Sequence, residues 1–286
     1  MRNQLMIWVS AFLYYSGLMR IVHWLHQRSG QRLLILNYHH ASDSDLRRHL
    51  LYLRKHFRLS SLDSALDELF TTDKKQVPRQ DRLLPLALTF DDGYEDNYTH
   101  AYALAQELHI PISIFLISGY IDNSTISNQE LGPLLTWNQV HEMQASGLVA
   151  FGGHTLHHPI LSSLINKDEV CQEIAGCRSL LEQKLGQAPR IFAYPHGGIE
   201  HIGVNGILAV RRSGYQWAMT TIPGSNTPDS HPLLLQRFSA DTHMHWLVIA
   251  LITSGIWDIL SALHWFGRRY RNPTRSQLKR MFDNSP

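Results

Sequence analysis

Short apolar runs of strand length alternate along the middle of the chain with stretches whose apolar positions recur every three to four residues. Residues 33–38, 86–90, 112–117, 148–151, 191–194, 217–220 and 234–238 are the strand candidates. Between them, 96–108 and 137–145 carry the helical period. Asn166 with Glu169 resembles a capping box; behind it Val170, Ile174, Leu181 and Leu185 mark one face, and Gly186 supplies a stop. Residues 71–84 are polar, contain Pro78 and both charge signs, and read as a surface loop. Strands alternating with helices imply a parallel α/β sheet or barrel, and seven strands at this spacing favour the barrel. In such barrels the chemistry sits on loops leaving the C-terminal ends of strands, so those positions are where functional residues are expected.

The two ends depart from this alternation. Residues 5–19 are mostly apolar and stop at Arg20, short of the roughly 20 residues a membrane span requires. A secretory signal is poorly supported: the n-region is weak, and cleavage at Val9-Ser10-Ala11 would leave too short an apolar core. From Ser16 the pattern turns amphipathic, with Leu18, Ile21, Val22 and Leu25 opposite Arg20, His23 and Gln27. At the other end Ile249, Ile252, Ile256, Ile259, Leu260 and Leu263 form an apolar stripe. A basic tail follows, with Arg268, Arg269, Arg271, Arg275, Lys279 and Arg280, and Trp246, Trp257 and Trp265 add amphipathic rings. Two readings stand for these ends: helices that cover the barrel, or helices that rest on a membrane surface.

Composition narrows the class only a little. With 286 residues, 44% apolar and 17% charged, the chain can bury one barrel or two smaller domains. A net charge of +2, with no central basic block interleaved with aromatics, gives no reason to expect nucleic acid. Cys171 and Cys177 lie six apart in a helical stretch, too far for a disulfide. The 18 histidines make about one His-x-x-x-His pair expected by chance, so such a pair counts only with further support.

Three groups of residues follow strand candidates. Asp91 and Asp92, in Thr89-Phe90-Asp91-Asp92-Gly93, would repel if both were buried and charged; a divalent cation removes that penalty and leaves the second acid free for proton transfer. The bland alternative is a solvated Asp-Gly turn. His154 and His158 are four apart, so one helical turn would set both rings on one side. Two imidazoles, a carboxylate and an open water position form a catalytic zinc set, although His157 at i+3 is not distinguished by spacing alone. Tyr194, Pro195 and His196 lie in a tight Pro/Gly-bounded loop whose backbone N–H groups suit an oxyanion; by itself this is an ordinary βα turn.

In the order Asp-Asp, His-x-x-x-His, Tyr-Pro-x-Gly, these motifs resemble the polysaccharide deacetylase family, which includes chitin, peptidoglycan and nodulation chitooligosaccharide deacetylases. Thr89–Gly93 is similar to its Thr-Phe-Asp-Asp-Gly motif and His154–Pro159 to its His-Ser/Thr-x-x-His-Pro motif, a register that selects His158 over His157. His39 after its strand resembles the family's Tyr-His start, and Trp137, Met143 and Gly147 sit where many members carry a Trp…Met…Gly helix. The likeness covers about 33–240. It implies an irregular (β/α)7 barrel with a zinc or similar divalent ion on Asp92, His154 and His158. It makes Asp91 the general base and gives His196 a backbone N–H for the oxyanion. The activity implied is removal of N-acetyl or similar N-acyl groups from amino sugars of a polysaccharide, a cell-surface glycan or a lipid-linked precursor. Tyr194, Pro195, His196 and His39 are then the candidate substrate contacts.

Two positions depart from the family pattern. Ala193 stands where an Arg usually orients the base, and Arg237 is the candidate replacement. The closing Leu-x-His motif that supplies the acid is absent from Leu235-Gln236-Arg237, which leaves His243 as first candidate, followed by His245 and His39. These departures keep open a non-catalytic glycan-binding or export-supporting barrel. The expected organisation is an apolar, amphipathic helix over 1–30, a catalytic domain over 31–243, and an amphipathic helix with a basic tail over 244–286. Peripheral membrane association through the terminal helices is the expected location, with the cytoplasm as alternative.

Overall fold

The computed structural model describes residues 2–28, 30–42, 45–71, 83–122 and 132–256, so most of the 71–84 loop reading and the basic tail lie outside the described residues. Eight strands form one sheet: β1 Leu34–Tyr38, β2 Arg58–Leu59, β3 Pro85–Phe90, β4 Ile112–Leu116, β5 Val149–Gly153, β6 Ile191–Ala193, β7 Trp217–Met219 and β8 Phe238–Ser239. All named pairings are parallel, in the order β7-β6-β5-β4-β3-β1-β8, with β2 added beside β3. Leu235 bridges in parallel to Met219 of β7 while Phe238 pairs with Leu36 of β1. One short segment therefore touches both edges of the curled sheet, and the fold is the expected (β/α)7 barrel. The last strand candidate, 234–238, is shorter than expected as regular strand because its residues divide between those two neighbours.

The alternation of side chains along the strands creates two apolar layers. Leu34, Leu36, Tyr38, Leu86, Leu88 and Phe90 pack outward with the helices. Leu33, Ile35, Ala87, Phe115, Ile191, Ala193, Met219 and Leu235 meet inside the ring. Two residues further along, the inward positions turn polar: Asn37, Thr89 and Arg237 are all fully buried.

The helices are α1 Arg2–Tyr15, α2 Leu18–Arg28, α3 Leu46–His56, α4 Leu62–Thr71, α5 Ala103–Leu108, α6 Trp137–Ala145, α7 Lys167–Leu185, α8 Ile199–Arg212 and α9 Trp246–Thr253, with a π-helical turn over Asn97–Tyr102 leading into α5. The helix read over 96–108 is thus present but widened at its start. Asn166 caps α7 through the Asp168 N–H at 2.9 Å, a different bond from the expected pairing with Glu169. The described residues place a capping box at α6, between Thr136 and Gln139. Both cysteines are free, as expected for residues on one helix.

Helix α4 seals the end of the barrel where strands begin. Its Leu62, Ala65, Leu66 and Leu69 join the interior cluster. Its outer carboxylate Asp67 accepts from Arg190, just before β6, and its Glu68 carbonyl accepts from Gln31, just before β1. Closing that end leaves the strand C-termini as the open face. At the far C-terminus, α9 is not amphipathic: Leu247 to Leu251 are all buried, between α1 and α3.

Truncating the barrel plug should be far more damaging than truncating a helix surface. Leu66→Ala should lower stability by about 2–5 kcal/mol, and Leu51→Ala, on the exposed side of α3, by well under half of that. Urea unfolding midpoints of the two variants provide the comparison.

Candidate functional site

The open face gathers groups from five strand ends. Strand β3 runs apolar to Phe90 and then delivers Asp91 and Asp92, only 2% and 6% exposed. Asp92 has φ 72° and Gly93 φ 78°, two successive left-handed residues that turn the chain sharply and separate the directions of the two carboxylates. A Cβ at position 93 would lie 2.7 Å from a Leu116 methyl, so the turn requires glycine on both conformational and steric grounds.

Asp91 points into the ring. Its Oδ1 and Oδ2 each accept from Arg237, Nη1 and Nη2, at 2.8 Å. Arg237 is itself fully buried, donating through Nε to the Thr220 carbonyl (2.9 Å) and through Nη1 to Asn37 Oδ1 (3.1 Å). Asn37 and Thr89 are register partners on adjacent strands, so neighbouring strands line the guanidinium pocket. Burial alone would raise the Asp91 pKa, but Arg237 first, then His154 and His39, reverse this and hold it below the usual carboxylate value.

Asp92 points the other way, towards two imidazoles. Its Oδ1 is buried with no hydrogen-bond donor. It lies 3.3 Å from His154 Nε2 and 3.5 Å from His158 Nε2, and the three ligand atoms fall within 4.8 Å of one another. His154 Nδ1 donates to the Ala193 carbonyl at 2.8 Å, which fixes the tautomer and turns Nε2 towards Asp92. Residues 154–158 are not helical, contrary to the one-turn expectation. Thr155 (φ 66°) and His158 (φ 59°) adopt left-handed backbone, and the Thr155 hydroxyl accepts the His158 N–H at 2.9 Å. This tight loop brings the two rings to 4.9 Å between centroids.

The same loop decides between the neighbouring histidines. His157 is drawn away by Glu173, which accepts its backbone N–H and pairs with its Nδ1 at 2.7 Å. Among the described residues, Asp92, His154 and His158 are the one group with ligand spacing. Burial opposes ionisation of Asp92, yet His154, His158 and His39 together carry its pKa well below normal. Burial and the neighbouring His154 push His158 down to about 4, so its ring is neutral near pH 7. For His154 burial is outweighed by Asp92 and Asp91, and its pKa rises. An orphaned buried carboxylate oxygen facing two oriented imidazole nitrogens is a donor set that fits a divalent cation.

The remaining candidates divide. His196 (φ 60°) stacks 4.9 Å from His158, at the exposed rim. Tyr194 N–H donates to Met219 O and Gly197 N–H to Pro195 O, which leaves the His196 backbone N–H without a protein acceptor among the described residues. The Tyr194 side chain is fully buried with its hydroxyl on the Leu233 carbonyl, and Pro195 is buried, so the expected direct substrate contact by the Tyr194 side chain is corrected to a structural role. His39 follows β1 directly, and its charge reaches both Asp91 and Asp92. His243 is exposed, and its backbone N–H donates to the Asp241 carboxylate. His245 caps α9 through the Leu247 N–H. His39 follows β1, which pairs with β3 on one side and β8 on the other, so it leaves the sheet at the same end as the Asp91-Asp92 turn.

A model described as polysaccharide deacetylase matches residues 81–217, which contain both the Asp-Asp and the His-x-x-x-His motifs. These residues place the matched segment in the polysaccharide deacetylase family. As a family member it is a hydrolase of amide carbon–nitrogen bonds. YxkH of Bacillus subtilis, whose name places it in the same family, is 28% identical over 222 residues, 75% of this chain and 73% of that one. A poly-β-1,6-N-acetyl-D-glucosamine N-deacetylase of Staphylococcus epidermidis is 27% identical over 157 residues, so the match spans about half of each protein (52%). The structure of IcaB from Ammonifex degensii superposes with a TM-score of 0.67 at 25% identity, covering 79% of this chain and 98% of that one.

Several residues of this family member were not anticipated from sequence. Asn37 and Thr89 complete the Arg237 pocket, and the signal was an Asn within the otherwise apolar strand Leu-Ile-Leu-Asn-Tyr. Tyr94, directly after the Asp-Asp-Gly turn, stacks on His40 at 3.9 Å, and burial together with the Asp92 anion raises its phenol pKa.

Arg237→Met would leave the Asp91 carboxylate buried and uncompensated. It should cost about 3–5 kcal/mol in chemical denaturation, and adding Asp91→Asn should restore a large part of that loss.

Proposed function

We propose that this family member is a metal-dependent N-deacylase acting on amino sugars of a polysaccharide, with N-acetylglucosamine polymers the first substrate to test. The observation that carries the reading is the donorless Asp92 Oδ1 between the two imidazoles, next to an Asp91 held separately by Arg237. Asp92, His154 and His158 would hold the cation, and the donor set suits zinc. Such an ion, when bound, acidifies a water and polarises a carbonyl.

The other steps belong to the chain's own residues. Asp91 is the general base: Arg237 occupies one lone pair on each oxygen and keeps the carboxylate ionised, leaving further lone pairs to accept a proton from the attacking water. As the water oxygen bonds to the acyl carbon, the carbonyl oxygen takes up negative charge, and the His196 backbone N–H, which has no protein acceptor among the described residues, would donate to it. Collapse breaks the carbon–nitrogen bond, and His39 supplies the proton that lets the amine depart. The products are a carboxylic acid and a free amino sugar. Tyr94 and His40, stacked beside Asp92, offer an aromatic face for a sugar ring. The names of the staphylococcal relatives support poly-N-acetylglucosamine as substrate.

Release of acetate and free amine from N-acetylglucosamine oligomers, with and without chelator, tests the reading. Chelation should abolish turnover and added zinc should restore it; turnover that survives complete metal removal overturns the proposal. His154→Ala should lose bound metal on elemental analysis, whereas Asp91→Asn should retain it and lose about 10²–10⁴-fold in kcat. His39→Gln should fall by a similar factor while His243→Gln stays near the parent rate; the reverse order would return the acid role to His243.

A further inference from the structure

The helix pair α1–α2 has its apolar side facing outward. Leu5, Trp8, Phe12 and Tyr15 form one stripe along α1, exposed by 65%, 74%, 68% and 75%. The fully buried side chain of α1 is instead Ser10. The inner side of α1 is already engaged: Tyr14 packs edge-on against Trp246 (5.2 Å) and Tyr52 (6.4 Å). Helix α2 continues the outward surface with Leu18, Ile21, Trp24 and Leu25, all close to half exposed. No described helix is long and apolar enough to span a bilayer, and α1 and α2 are bent by 74° at the break between them. The chain bends there at Ser16-Gly17, with Gly17 at φ 80°.

Charge identifies what this face suits. Residues 1–42 contain no Asp or Glu, but hold Arg2, Arg20, Arg28 and Arg32. Arg20 and Arg28 are exposed, and the Arg28 guanidinium lies over the Trp24 ring at 3.9 Å. Apolar aromatics framed by cations, in a stretch of 42 residues without an acid, match an anionic lipid surface, where rings sit at headgroup depth and arginines meet phosphates. A second copy of the same face would bring like charges together without counter-ions. Residues 257–286 carry Arg268, Arg269, Arg271, Arg275, Lys279 and Arg280 against Asp258 and Asp283. That segment shares the positive sign and is suited to the same lipid surface.

We propose that α1 and α2 form a monotopic docking face that lays this chain on an anionic bilayer. The face lies outside the hydrolytic site and its proposal does not depend on the chemistry assigned there. It would confine the enzyme to glycan at or near a lipid surface.

The test is co-sedimentation of the purified full-length chain with vesicles of phosphatidylglycerol and phosphatidylcholine, and with phosphatidylcholine alone. The chain should bind the anionic vesicles and favour them clearly over the neutral ones. Replacing Trp8, Phe12 and Ile21 together by Ser should reduce partitioning at least about tenfold, with an unchanged thermal unfolding profile. Should that triple variant fold poorly, Trp8→Ser alone gives the same readout at smaller amplitude. Arg20→Gln with Arg28→Gln should remove part of the anionic preference. Failure of the unmodified chain to sediment with anionic vesicles overturns the proposal, as does equal binding to both vesicle types. A stable dimer in solution that the triple substitution dissociates would assign the face to a second copy instead.

Discussion

Two adjacent carboxylates, both nearly excluded from water, are the constraint around which the open end of this barrel is built. Neither could stay ionised at that depth without a dedicated partner, and the two cannot share one without repelling each other. The left-handed turn at Asp92-Gly93 resolves the conflict by sending the side chains to different partners. Asp91 meets a buried guanidinium with matched bidentate geometry, and Asp92 meets two imidazole nitrogens whose spacing suits a cation. Each acid therefore has surroundings of its own, a guanidinium for Asp91 and a pair of imidazoles for Asp92.

The barrel supplies the means. An inward-facing apolar layer, closed by α4 at the strand N-termini, gives way near the strand C-termini to Asn37, Thr89 and Arg237. Because the segment carrying Arg237 bridges β7 and pairs with β1, its guanidinium reaches across the ring to the end of β3. The family's usual arginine position is Ala193 here, and that small residue contributes through its backbone carbonyl, which orients His154. The charge that steadies Asp91 thus enters from another strand.

The terminal helices obey a separate logic. Within the barrel, apolar residues are buried; on α1 Leu13 and Tyr14 pack inward beside the buried Ser10, while Leu5, Trp8, Phe12 and Tyr15 face out. Such an arrangement has no benefit in water, where apolar area is driven out of solvent. It becomes favourable when the surrounding medium is itself apolar at the level of those rings.

Much of this molecule was legible from residue order. Short apolar runs located the strands and a three-to-four-residue period the helices, because a strand buried on both faces and a helix buried on one leave those patterns directly on the chain. The Asp-Asp and His-x-x-x-His motifs could be read because their members are near neighbours and follow recognisable strands. Spacing could not choose between His157 and His158; Glu173, sixteen residues away on α7, decides it by holding His157. Nor could it rank His39 against His243, since that depends on where the chain leads after β1 and after β8. The pairing of Arg237 with Asp91 joins positions 146 residues apart. The sequence by itself determined the local geometry and the kinds of chemistry on offer, because those follow from interactions between close neighbours. Only the tertiary structure decided which charges meet, because a buried ion pair is set by which strands close the ring.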